Sequence, residues 1–188
     1  MNAGKFAIIV VTAMLLLTTG VSAMTMPGYG MGSTEDDAII MTESETSGFN
    51  TYYNSAYGYA LDIPAVASEA EATSKGDGCY FEDPDTHAVI SVYATRNMMQ
   101  LTADQLYRMD LNVNGSPALL VNEKTEKGYV ISWQKKNKIF YEVMAVNDNG
   151  TYTSFSVVYP VKMKTTYEAY CAHMKYSFIP AGAVRKPK

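Results

Sequence analysis

The chain is poor in the residues that most enzymes use for chemistry. Its 188 residues include two histidines, two cysteines and one tryptophan. A serine hydrolase needs a serine, a histidine and an acid converging in space. No serine here sits in the Gly-x-Ser-x-Gly elbow that would announce one. There is also no EF-hand loop to supply the six to eight oxygens of a calcium site. Basic excess is missing too, with 15 Lys and Arg against 19 Asp and Glu. A mildly acidic chain without a basic stripe is a poor ligand for nucleic acid or an anionic membrane. After the first residues no stretch is apolar enough to span a bilayer.

Those first residues predict export. Lys5 opens the segment, Phe6 to Leu17 is nearly unbroken apolar sequence, and Val21-Ser22-Ala23 supplies small residues. This is the tripartite pattern of a secretory signal over residues 1–23, with cleavage between Ala23 and Met24. An uncleaved anchor is the competing reading, but the run is short of the roughly 20 residues a span needs. No cysteine sits at the end of this segment, which disfavours a lipid anchor. Cleavage would leave about 165 residues, enough for one domain with a sizeable core. The expected location is outside the cytoplasm, periplasmic or extracellular.

In that compartment an even cysteine count favours a Cys79–Cys171 disulfide, closing a loop of about 90 residues. Two buried free thiols are the alternative.

Residues 24–48 have no sustained period and are rich in Gly, Ser, Thr, Met and acids, so they are expected to form a disordered linker. Ala38-Ile39-Ile40-Met41 is an apolar exception able to dock on the domain. Met24, Met26 and Met31 have no histidine or cysteine beside them, which argues against a soft-metal site. The domain is expected over residues 49–180, with a basic tail over 181–188.

Within the domain, Tyr57, Tyr59, Leu61 and Ile63 alternate onto one face, and Ala88, Ile90, Val92 and Ala94 do the same. Thr102-Ala103-Asp104-Gln105 predicts a capping box that opens a helix with Leu106, Met109 and Val113 on its apolar side. A meander follows: Leu119 to Asn122, Tyr129 to Trp133, Ile139 to Val146 and Tyr152 to Tyr159. Asn147-Asp148-Asn149-Gly150 is its strongest turn signal. Thr165 to Glu168 predicts a second capping box, and Tyr167, Tyr170, Cys171 and Met174 share one face of the helix behind it. Strands outnumber helices and most are joined by hairpins, so the class is α+β.

The run Tyr57-Gly58-Tyr59-Ala60-Leu61-Asp62-Ile63-Pro64, the turn Gly76-Asp77-Gly78, the strand after Asp83-Pro84-Asp85 and the closing Ser177-Phe178-Ile179-Pro180 together resemble the PsbP-like and Mog-like superfamily. The resemblance spans Asn50 to about Pro180. It implies a central antiparallel sheet with helices on both faces, an α/β/α sandwich. Members include an extrinsic subunit of the photosynthetic oxygen-evolving complex, a nuclear-transport GTPase-binding protein and exported bacterial proteins. The chain departs from the pattern where a tryptophan often follows the first strand, since Ala65-Val66-Ala67 stands there. No functional residue of the superfamily can be carried over onto a position here.

The expected function is therefore a non-enzymatic binding or accessory domain, with no cofactor, acting as a monomer through an envelope or extracellular protein partner. The alternative is a module for a small molecule or cell-wall glycan, using a surface formed by Trp133 and Tyr129. A third reading is an enzyme or metal cluster at Asp83, Asp85 and His87, against which stands a plain solvated turn. Glu69 and Glu71 give no useful signal, and Lys135, Lys136 and Lys138 read as a solubilising hairpin tip.

Overall fold

The computed structural model describes residues 39–183. The leader with its Ala23/Met24 junction, the linker up to residue 38 and the last five residues lie outside them.

Ten strands form two antiparallel sheets among the described residues. The smaller joins β1 (Ile39–Glu43), β2 (Phe49–Asn54) and β3 (Tyr59–Pro64). The larger contains β4 (Glu69–Ala72), β5 (Gly78–Asp83), β6 (Ala88–Arg96), β7 (Leu119–Thr125), β8 (Gly128–Lys135), β9 (Lys138–Val146) and β10 (Thr151–Pro160). Its order is β4-β5-β6-β10-β9-β8-β7. Helix α1 (Ala103–Val113) follows β6, and α2 (Lys164–Ser177) follows β10 through a 3-10 turn, Val161–Met163. The meander returns β10 to β6, so Val157 pairs with Ile90 at the centre of the sheet.

The α+β class and the antiparallel pairing agree with the sequence. The layers differ: the expected single central sheet is divided in two, and the described residues hold two α-helices. Tyr52, Tyr59, Leu61 and Ile63 of the small sheet share the main core with Phe81, Ile90, Val92, Phe155 and Val157 of the large one and with Tyr167, Cys171 and Met174 of α2. Each such large side chain is worth about 1.5–3 kcal/mol of burial.

Ordered structure also begins earlier than expected. Ile39–Glu43 pairs along β2, so residues 39–48 belong to the domain and not to a linker. At the other end Ala181 is buried, and its amide donates to Thr153 Oγ1, so the tail does not start there.

The first capping box forms as read: Gln105 N donates to Thr102 Oγ1, and Thr102 N donates to Gln105 Oε1. The helix it opens is rotated from expectation. Ala103, Leu106 and Asp110 face inward, while Val113 is exposed. The second capping box does not form. The 3-10 turn feeds α2 directly, and Met163 stands at its N-cap with no side-chain bond.

The Cys79–Cys171 bridge is absent, and both are buried free thiols. Both belong to the main core, Cys79 near Tyr52, Tyr59 and Glu71, and Cys171 near Tyr141, Tyr159 and Glu168.

Candidate functional site

The acidic turn is structural. Asp83 points inward and accepts hydrogen bonds from Tyr167 Oη at 2.6 Å and Thr86 Oγ1 at 2.6 Å. Asp85 is exposed, and its amide donates to Asp83 Oδ1. His87 turns away to Glu82 at 2.8 Å. The three side chains diverge, so the catalytic or metal cluster considered for them does not assemble. Among the described residues no three His, Cys, Asp or Glu side chains group as metal ligands.

Trp133 and Tyr129 do not form a surface. Each is 3% exposed, because alternation along β8 sends Tyr129, Ile131 and Trp133 to the side where Leu106 of α1 packs. Trp133 stacks on Phe140 with ring centroids 5.1 Å apart. Tyr129 meets the edge of Tyr107, and its hydroxyl donates to Asp110. The glycan platform considered as an alternative for this pair does not form, and Trp133 packs against a helix, as the favoured reading of the sequence had it.

Beneath α1 the Asp110 carboxyl meets that of Glu142 from β9. Burial pushes both above the usual carboxylate range, and the charge of Asp110 pushes Glu142 further. A second polar constellation joins the small sheet to α2. There Asp62 accepts from Thr51 Oγ1 at 2.7 Å, Ser44 Oγ at 2.9 Å and His173 Nε2 at 2.8 Å.

The open site lies at one end of the large sheet. A cleft there is lined by Ala56 and Tyr57 before β3, Arg96 at the end of β6 with Asn97 and Met98 after it, and Asn149, Gly150 and Thr151 at the β9–β10 hairpin. Asn97 builds its wall. Its amide donates to Gly150 O, its Nδ2 donates to Leu101 O at 2.9 Å, and Leu101 N returns a bond to its Oδ1 at 2.8 Å. Gln100, at φ 51°, completes the tight loop. The side chains left outside are Met98, 87% exposed, and Met99, 72% exposed. Arg96 is exposed beside them, and no carboxylate pairs with it among the described residues. Two adjacent thioethers on a pinned loop with a free guanidinium form an adaptable apolar contact beside an anion donor.

No protein-family model matches the sequence, and no curated protein matches it. A solved structure does: the solution structure of cyanobacterial PsbP (CyanoP) from Synechocystis sp. PCC 6803. The TM-score is 0.51 at 14% identity, covering 79% of this chain and 98% of that one. The fold is PsbP-like.

On this PsbP-like domain sequence reading did not single out Arg96, Met98, Met99, Asp110 or Glu142. Two signals were present. Met98 and Met99 are apolar residues outside any period, just before the Thr102 cap. Glu142 interrupts the alternation Phe140, Met144, Val146 on one face of β9.

Proposed function

We propose that the chain is an exported accessory domain, without catalysis of its own, that acts by binding a protein partner outside the cytoplasm. The PsbP-like fold supports an accessory or binding role in general. The secretory pattern of residues 1–23 supports export. The observation that carries the reading is the Met98–Met99 tip held open beside Arg96. Hydrogen bonds pin the loop at Asn97, so little chain ordering opposes docking there. The partner surface that fits is an apolar side chain next to a carboxylate.

The test is site-specific photo-crosslinking in the native host, with the probe at position 98 or at Lys162, an exposed position beyond the far end of β10. One discrete adduct is expected from position 98 alone, and it disappears when Arg96→Ala and Met99→Ser are combined. Equal capture from both positions, or capture unaffected by the double substitution, would overturn the proposal.

A further inference from the structure

The β8–β9 hairpin ends in three lysines. Lys135 and Lys138 stand opposite each other in the ladder, and Lys136 takes the tight turn between them at φ 55°. In sequence this tip reads as solubilising. The fold brings a fourth lysine to it. Pro160 pairs with Lys138, and Val161 N donates to Asn137 O at 2.9 Å, which sets Lys162 beside the tip. All four lysines are exposed.

These cations stand apart from the rest of the molecule's charge. Arg108, Lys124, Lys127, Lys164 and Lys175 each pair with a carboxylate. None of the four tip lysines has such a pair among the described residues. The acids at the same end of the sheet are engaged elsewhere. Glu82 holds His87, Asp83 accepts from Tyr167 and Thr86, and Glu168 holds Lys164. Asp85 is the exposed exception. The Met98–Met99 loop lies at the opposite end, since β10 pairs Thr151 with Arg96 and Pro160 with Lys138.

The kind of ligand follows from the side chains. Protein interfaces are depleted in lysine and enriched in aromatic residues, methionine and arginine. Residues 134–138 and 160–162 contain none of the enriched types. Lysine ammoniums are hydrated point charges on flexible stems, suited to a diffuse field of phosphates and not to one fork-shaped contact. A bilayer with anionic headgroups supplies that field, and its attraction sums over the lysines that come within a Debye length.

We propose that the β8–β9 tip with Lys162 is a docking surface for the anionic phosphate headgroups of a lipid bilayer. The domain rests on the bilayer by this end, without insertion, and leaves the Met98–Met99 end open.

The experiment is sedimentation of the full chain with vesicles of phosphatidylcholine alone and of phosphatidylcholine with phosphatidylglycerol, at low and high salt. The neutral vesicles measure what the apolar run of residues 6–17 contributes, so the reading is the increment due to phosphatidylglycerol. That increment is expected at low salt and should vanish at high salt. Lys138→Gln combined with Lys162→Gln should lower partition to the anionic vesicles on the order of tenfold. Lys75→Gln combined with Arg96→Gln removes the same charge from exposed positions at the other end and should leave most of the binding. Urea midpoints check that both variants keep the fold. No increment from phosphatidylglycerol would overturn the proposal, and so would equal losses from the two double variants. A discrete protein adduct from a photo-probe at Lys162 would assign the tip to an acidic protein and overturn it as well.

Discussion

Asp62 and His173 meet at 2.8 Å across the seam between the three-stranded sheet and α2. They are 111 residues apart in sequence, and the contact ties β3 to α2. Phe49 lies against the His173 ring, with centroids 4.0 Å apart.

Burial alone would raise the Asp62 pKa, but the hydrogen bonds from Thr51, His173 and Ser44 outweigh it and hold the group below its ordinary 3.8. A depressed folded value stabilises the protein above the unfolded pKa, and that contribution is lost as pH falls through the folded one. Asp62→Ala should therefore cost about 1–3 kcal/mol at neutral pH. Urea midpoints of the native and variant proteins should converge in acid. A gap of equal size at neutral and acid pH would show that the charge is not its source.

Tyr167→Phe removes the hydroxyl that donates to the buried Asp83 at 2.6 Å. Thr86 still donates to that carboxylate, so the loss should be partial, about 1–2 kcal/mol in urea denaturation. Asp83→Ala should cost more, because Thr86 and Tyr167 both lose their acceptor and the turn loses its bonds to the amides of Asp85 and Thr86.

Cys79 and Cys171 should each take up one alkylating label when the protein is unfolded without reductant, as read by intact mass. In the native state labelling should be slow, because burial pushes both thiols up to about 12 and leaves little thiolate. A mass with no label until reductant is added would restore the bridge.

Gly78→Ala should destabilise by about 1–3 kcal/mol through overpacking. A Cβ there would sit 2.3 Å from the Val92 carbonyl oxygen, inside the β5–β6 ladder. Gly150→Ala meets open space, and its cost would come from φ 75° alone. Thermal melts of the two variants should separate a steric penalty from a conformational one.

Local pattern carried much of this far. Alternation at Ala88, Ile90, Val92 and Ala94 places four buried residues on β6, and the spacing of Tyr167, Cys171 and Met174 places the inner face of α2. The Asn147 to Gly150 turn and the Thr102 cap have short-range causes, so they read directly. The errors share the opposite property. Thr165 to Glu168 fits a cap motif, yet the chain arrives there already coiled in a 3-10 turn. Val113 fits an apolar helical face, yet the side of α1 toward the sheet is chosen by the partners of Asp110. Trp133 and Tyr129 could be read as platform as well as core, and α1 covering them decides for the core.

The sequence by itself determined the strand and helix periods, the hairpin turns and the α+β class, because these rest on neighbours a few residues apart. Tertiary structure decided the division into two sheets, the unbridged state of the two thiols, the meeting of Asp62 with His173, and the open Met98–Met99 tip. Those depend on which distant segments pack together, and a side chain's charge, partner and exposure are set by that packing, not by its place in the chain.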